Sequence, residues 1–416
     1  MHSAILLQGL TLMPAVNLET VAIIGGGVAA VSFACALRAG GFNGSIIAVS
    51  DEPELAYDRP PLSKTFMSEG GDAVRLDTSR ATNVEWLHGV AAISIDGRQR
   101  RVHLADGRSL PYSALVLATG AKPRPLAALA NVELPSFTLR TLGDARGIRA
   151  RLVAGARMVV IGGGIIGLEL ASTASRMGVS VSVVEALPRL MNRCAGDVLA
   201  SFVAAQHAQN GVELWLGKQV IGCSLQGVLL NDGTTVPADF VVVGIGVSAN
   251  DGLARSAEIA CDDGIFVDRY GRTTCPQVYA VGDVTRQRNP VSGHFERIET
   301  WTNAQNQAMA VARCLLDPTA APYDEIPYYW SDQYDQRIQV LGIPQGDEEL
   351  VRGNAGNNAF IVFHLLRDRL VGATCINQPK AVAPLRRLIA SGKTPDRKKM
   401  IDIDLDIRKL ADDDQQ

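Results

Sequence analysis

Seven cysteines stand in this chain, at 35, 194, 223, 261, 275, 314 and 375, and no two of them form a C-x-x-C pair. No pair is spaced like a zinc site, so a structural zinc module or a thioredoxin-like dithiol is excluded. The odd, scattered count argues for free thiols in a reducing compartment, the cytoplasm, and against a disulfide framework. The six histidines are equally dispersed, so no metal centre is expected. No apolar run reaches membrane-spanning length, so no membrane association is expected. A formal net charge of −3 offers no electrostatic reason to bind nucleic acid. Residues 1–17 are mildly apolar but lack a basic start and a cleavage site; they read as a disordered leader, with Met13 an alternative start.

What is present is a dinucleotide-binding pattern. With 416 residues the chain has room for about three domains. Val21–Ile24 reads as a buried parallel strand, and Gly25-Gly26-Gly27-Val28-Ala29-Ala30 follows at once. A helix is expected from about Val31 to Ala39, then a second strand, Ile46–Val49, ending at Ser50-Asp51-Glu52. In this order each part has a task. Gly25 allows the tight turn, Gly27 admits a pyrophosphate to the backbone, and Ala30 lets helix and strand pack closely. The helix N-terminus offers free N–H groups to phosphates. Asp51 or Glu52 can accept hydrogen bonds from a ribose diol. The glycines alone also fit a ligand-free turn; the complete unit argues against that.

The fingerprint then recurs. Met158–Ile161, Gly162-Gly163-Gly164-Ile165-Ile166-Gly167, a helix over Leu168–Met177 and a strand Val181–Val184 ending at Glu185 repeat the same order. Two such units can hold two dinucleotides. A carboxylate at Glu185 repels a 2′-phosphate, which favours NADH over NADPH, although Arg189 and Arg193 just beyond can soften the preference.

Between and after the fingerprints, several stretches stay open to a bland reading. Tyr57-Asp58-Arg59-Pro60-Pro61-Leu62-Ser63-Lys64 is extended by its prolines and can hold Arg59 and Lys64 rigidly, or can be a loop with solvated charges. Short strands are expected over 84–95, 101–104 and 111–117, with Asp106-Gly107 as a hairpin turn between the last two. Phe240–Val243 ends in Gly244-Ile245-Gly246, and Val278–Val281 delivers Gly282-Asp283 into an expected helix. Trp301 precedes a helix over Asn303–Leu316 and suits either a flavin edge or a core. From Ile326 onward a small α+β domain is expected, with strands at Ile338–Leu341, Ala359–His364 and Leu370–Ile376 and a helix near Pro384–Ala390. Arg386, Arg387, Lys393, Arg397, Lys398 and Lys399 can dock an acidic partner or simply face solvent. The alternation of Ile401, Ile403, Leu405 and Ile407 with aspartates suits one edge strand.

In sequence order, these pieces resemble an oxygenase-coupled NADH–ferredoxin reductase, a family within the glutathione-reductase-like flavoproteins. The marks are Gly25–Ala30 with Asp51, Tyr57–Lys64, Ala118-Thr119-Gly120 with Pro123-Arg124, Leu139-Arg140-Thr141, Gly162–Gly167 with Glu169 and Glu185, Tyr279–Asp283, Arg297–Trp301 and Trp330–Tyr334. The resemblance implies an α/β fold with two Rossmann-like domains and a C-terminal α+β domain. An FAD-binding domain would take 18–122 and 247–325, an NAD-binding domain 123–246, and the C-terminal domain 326–416. It implies FAD on Gly25, Gly27, Ala29 and Ala30, with Asp51 at its ribose and with Arg59, Lys64, Ala92, Arg140, Asp283 and Trp301 around it. It implies NADH on Gly162, Gly164, Gly167, Glu185, Arg193 and Gly246, and a Lys64–Glu169 pair near the reacting rings.

Disulfide reductases of this kind carry a cysteine pair where Tyr57–Lys64 has none, and their peroxidase and oxidase relatives a single cysteine, also absent. Cys35 reads as a packing residue. The implied exit for electrons is therefore a [2Fe–2S] ferredoxin serving a Rieske oxygenase or a cytochrome P450. A monodehydroascorbate or quinone reductase, or a redox-gated binding protein of the apoptosis-inducing type, are the alternatives.

Overall fold

A computed structural model describes residues 18–71, 74–129 and 133–410. The expected leader, residues 1–17, lies outside them. The chain forms two compact units, made of the described parts of Met1–Asp58, Val74–Lys122 and Ser248–Pro327, and of Arg59–Ala73, Pro123–Val247 and Tyr328–Gln416.

The first unit is built on a five-stranded parallel sheet in the order Val278–Ala280, Ala114–Leu117, Thr20–Ile24, Ser45–Val49, Val84–Leu87. Its central strands are apolar on both faces, as a sheet covered on both sides requires. The helices Val28–Ala39 and Trp301–Leu316 pack against one face through Ala30, Phe33, Ala34 and Leu37 and through Ala304, Ala308 and Val311. Val102, Leu104 and Ile259 close the other face. The second unit repeats the sheet, in the order Glu213–Leu216, Ser180–Glu185, Arg157–Ile161, Phe240–Val243, Ser136–Thr138, again all parallel. Each sheet has a three-stranded antiparallel partner, Ala92–Pro111 in the first and Val220–Pro237 in the second.

The C-terminal part is a five-stranded antiparallel sheet in the order Tyr328–Gln333, Gln336–Gly342, Arg369–Ile376, Ala359–Leu366, Glu348–Asn354, with the helix Val382–Ser391 after it. The turn at Arg367-Asp368 has both residues left-handed (φ 49° and 60°), the geometry a two-residue hairpin needs.

Three expectations differ. Asp106-Gly107 does turn a hairpin, but its second strand is Ser109–Pro111; the Ser113 N–H then donates to Thr20 O and feeds Ala114–Leu117 into the parallel sheet. Gly282–Val284 is one 3-10 turn leading into the strand Thr285–Arg288, because Thr285 Oγ1 donates back to Gly282 O at 2.8 Å. The tail is not a strand: Arg397–Ile401 is helical and Ile407–Leu410 is a 3-10 turn. Its aspartates take up neighbouring N–H groups, Asp402 from Asp404 and Asp406 from Arg408, which favours turns over a ladder. Buried Arg352 donates to the Leu405 and Met400 carbonyls and occupies acceptors a partner strand would need.

Candidate functional site

In the first unit the glycine turn is sterically dictated at one end and open at the other. Gly25 has φ 131°, and a Cβ there would stand 2.2 Å from Ala118 O. Only glycine fits. Gly27 is different: a Cβ would meet nothing within 4 Å. It is the N-cap of Val28–Ala39, and no side chain caps that helix. The space and the uncapped N–H groups are what a pyrophosphate needs. Ala29 and Ala30 are buried, and Ala29 explains Gly282 (φ 79°), where a Cβ would lie 3.1 Å from the Ala29 methyl.

At the strand's far end, Glu52 accepts from the Tyr57 hydroxyl, whereas the Asp51 side chain is exposed and turned to solvent. Gly89 and Val90 donate to Glu52 O and Ser50 O, which sets the strand beginning at Ala92 beside this loop. Asp283 sits half-buried on the 3-10 turn, whose Gly282 N–H donates to Gln307 Oε1 at 2.7 Å. A buried row continues from Gln307 to Gln287 to Asn303 to Ile298 O and fixes the start of the helix at Trp301. The Trp301 indole donates to Asp58 Oδ1 at 2.6 Å, so the tryptophan is oriented by a hydrogen bond that sequence reasoning did not assign to Asp58.

In the second unit the turn repeats that logic. Gly162 has φ 105°, with Gly244 O 2.5 Å from a built Cβ, and Gly167 has Gly162 O at 2.7 Å. Gly164 caps the helix Ile165–Arg176 without a side-chain bond, and its nearest neighbour to a Cβ, Gly244 O, is 3.8 Å away. Glu185 closes this turn: Oε2 accepts from Gly163 N at 2.7 Å and Oε1 from Leu187 N at 2.9 Å. Arg189 donates to Asn192 Oδ1 and Ala195 O and lies 3.4 Å from Asp197. Arg193 is exposed, with Nη1 2.9 Å from where a Cβ on Gly246 (φ 100°) would stand.

The second unit also gathers Arg59, Lys64, Arg140 and Glu169. Arg59 donates to Arg140 O. Arg140 precedes a helix whose Thr141–Asp144 capping box fixes its backbone. Pro60–Ser63 forms a 3-10 turn, and Thr173 Oγ1 donates to Ser63 O at 2.9 Å. Glu169, one helical turn earlier, is 4% exposed, and its Oε2 lies 2.7 Å from Lys64 Nζ and 2.5 Å from Ser63 Oγ. Its Oε1 accepts from Ser331 Oγ at 2.7 Å. The pair was legible in the resemblance; its two serines were not. Ser331 could have been placed by the period-two face it shares with Gln333.

All seven cysteines are free, and burial raises every one, Cys194 and Cys261 to about 11 and Cys375 to about 12. Cys35 packs against the first unit's core. Of the basic residues near the C-terminus, Arg397 is engaged by Glu348 and Asp368, and Arg386 lies over the Tyr328 ring. Among the described residues no group of three or more histidine, cysteine or carboxylate side chains could hold a metal, and no helix is long and apolar enough to cross a membrane.

Two cradles of one design, each at the head of a parallel sheet, define a protein that handles two dinucleotides. The chain belongs to the pyridine nucleotide-disulphide oxidoreductase family, whose model matches residues 19–308; a reductase C-terminal model matches 328–411. It is 35% identical over 401 residues to the ferredoxin–NAD(+) reductase component of the Pseudomonas putida p-cumate 2,3-dioxygenase system, covering 95% of this chain and 99% of that one. It is 38% identical to the corresponding component of the Burkholderia cepacia anthranilate 1,2-dioxygenase system, covering 91% and 96%. Among solved structures, the covalent putidaredoxin reductase–putidaredoxin complex matches with TM-score 0.90 at 33% identity, covering 94% of this chain and 98% of that one. The ferredoxin reductase for the CYP199A2 system from Rhodopseudomonas palustris matches with TM-score 0.90 at 34% identity, covering 94% and 100%.

Proposed function

We propose that this chain is an FAD-dependent NADH:ferredoxin reductase that passes electrons to a [2Fe–2S] ferredoxin serving a Rieske oxygenase or a cytochrome P450. The repeated cradle carries this reading. Both glycine turns leave one Cβ position open, at Gly27 and Gly164, beside an uncapped helix N-terminus. The named relatives support the acceptor. The flavin, when bound, converts a two-electron hydride donor into a source of single electrons. The reducing cytoplasm is the proposed location, supported by seven unpaired thiols.

The residue roles are those the resemblance implies, and the geometry of each unit is compatible with them. FAD is assigned to the first cradle, Gly25 to Ala30, with Asp51 on its ribose, and with Ala92, Asp283 and Trp301 around it. NADH is assigned to the second, with Gly162, Gly164 and Gly167 at the pyrophosphate, Glu185 at the ribose, and Arg193 and Gly246 at the rim. Arg59 and Arg140 supply cationic or backbone contacts to the flavin nucleotide. Lys64, paired with Glu169, is assigned the ammonium that would stabilise negative charge on the reduced ring. This scheme divides the chain as an FAD domain, 18–122 and 247–325, an NAD domain, 123–246, and a C-terminal domain, 326–416.

Preference for NADH has two supports. Glu185, assigned to the ribose, would repel a 2′-phosphate, and Arg189, which could offset it, is engaged by Asn192, Ala195 and Asp197. Glu185→Ala should raise the KM for NADH roughly ten- to a hundredfold, the value of charge-assisted hydrogen bonds, and leave NADPH nearly unchanged. Equal losses for both nucleotides would misplace the ribose.

The function is tested with purified protein. It should be yellow, lose its flavin absorbance on anaerobic addition of NADH, and reduce a [2Fe–2S] ferredoxin faster than a quinone or monodehydroascorbate. Failure to take up FAD rejects the proposal, and faster turnover of the organic acceptor moves the chain to that class.

A further inference from the structure

Behind Glu169 a row of buried polar side chains runs through three elements of the second unit. Ser331 Oγ lies 2.7 Å from Glu169 Oε1, and Gln333 Nε2 3.0 Å from Ser331 Oγ. Gln333 Oε1 is 3.0 Å from His207 Nε2, and His207 Nδ1 is 3.1 Å from the Tyr334 hydroxyl. Glu169, Ser331, Gln333 and His207 are all buried; Tyr334, at the outer end, is half-buried. Ser331 and Gln333 come from the strand Tyr328–Gln333, His207 from the helix Asp197–Gln209, and Glu169 from the helix Ile165–Arg176. Tyr334 is held in a left-handed conformation (φ 53°), its N–H donating to Ser172 Oγ at 2.7 Å.

The direction of every bond in this row is fixed by its inner end. A carboxylate only accepts, so Ser331 must give its single proton to Glu169. Ser331 Oγ then accepts from the Gln333 amide N–H, which leaves Gln333 Oε1 as an acceptor. His207 must therefore carry its proton on Nε2, and its bare Nδ1 accepts from Tyr334. Burial lowers the pKa of His207, in keeping with a neutral ring. All four donors point toward Glu169, and bonds aligned in this way polarise one another.

We propose that this one-way chain spreads the negative charge of Glu169 into the protein, so that the positive charge of Lys64 is not fully neutralised and remains available to the flavin. Ser331, Gln333 and His207 are positioning residues for the reaction, supplied in part by the C-terminal sheet. The inference rests on the assignment of Lys64 beside the flavin. Without the Ser331 proton, Oε1 loses its described donor. Charge then concentrates on Oε2, where Lys64 and Ser63 already bind, and the ammonium is more completely cancelled. The reduced flavin loses stabilisation.

The test is the two-electron midpoint potential of the FAD holoprotein, measured by equilibration against a reference dye. Ser331→Ala should shift the reduction equilibrium about tenfold toward the oxidised form, a potential about 30 mV more negative. Ser331→Thr, which keeps the hydroxyl, should restore the wild-type value. Glu169→Gln should move the potential the opposite way, and Lys64→Met the same way as Ser331→Ala. A shifted Lys64→Met with an unshifted Ser331→Ala overturns the chain while leaving the assignment of Lys64 intact. An unshifted Lys64→Met removes that assignment and the chain's role with it. Independently of the flavin's behaviour, the ¹⁵N spectrum of His207 in the holoprotein should show the proton on Nε2. A proton on Nδ1, alone or in an imidazolium, contradicts the direction argued here.

Discussion

At the scale of single residues the decisive pair is Lys64 and Glu169. Their side chains are 18% and 4% exposed, so each ion depends on the other for the solvation water would have given it. Lys64→Met strands a buried carboxylate on two hydroxyls and should cost about 3 kcal/mol of stability. Adding Glu169→Leu to it should recover most of that loss, because an apolar pair of similar volume avoids the desolvation penalty altogether. Denaturant melts of the single and double variants decide the matter; a double variant no more stable than Lys64→Met contradicts the argument. His207 gives a second residue-scale prediction. Its pKa is depressed by burial, so below about pH 6.5 the unfolded chain takes up a proton that the folded chain refuses. Stability then falls as pH falls, and His207→Gln should flatten the acid limb of melting temperature against pH. An unchanged limb would mean that other groups carry it.

At the scale of elements the glycine turns separate folding from binding. Gly162 cannot accept a Cβ, which would be forced to 2.5 Å from Gly244 O, whereas Gly164 has no atom closer than 3.8 Å. Gly162→Ala should therefore give little soluble protein. Gly164→Ala should fold with a wild-type melting temperature yet bind NADH more weakly, because the methyl fills the space assigned to the pyrophosphate. Titration of NADH against flavin fluorescence reads the difference; wild-type affinity in Gly164→Ala would place the dinucleotide elsewhere. The two strand–turn–helix units were legible in the sequence because three signals coincide there: apolar runs, spaced small residues and a terminal carboxylate. The outer strand Glu348–Asn354 carried no such signal. Its two faces each carry a charged residue with a partner distant in sequence: Arg352 is buried and donates to tail carbonyls, and Glu349, on the opposite face, accepts from the Val198 N–H at the start of the helix Asp197–Gln209. Tyr328–Gln333, aromatic and polar in sequence, shows no strand pattern for the same reason: Ser331 and Gln333 face inward to serve Glu169 and His207 rather than an apolar core. Polar residues that are buried for a partner distant in sequence break the alternation on which strand recognition depends.

At the scale of the whole molecule the distribution of sulfur makes the proposed electron path testable. The family description includes disulphide reduction, yet residues 57–64 contain no cysteine and the seven thiols elsewhere are all unpaired. Each is less acidic than an ordinary thiol because burial disfavours its thiolate, the reactive form. The consequence is measurable. Ferredoxin-linked turnover should survive iodoacetamide at neutral pH, and arsenite, which needs a dithiol, should not inhibit at any stage of reduction by NADH. Arsenite sensitivity that appears only after NADH is added would reveal a thiol pair formed during turnover. It would return the chain to the disulfide-reducing branch of its family and require a different path for electrons leaving the flavin.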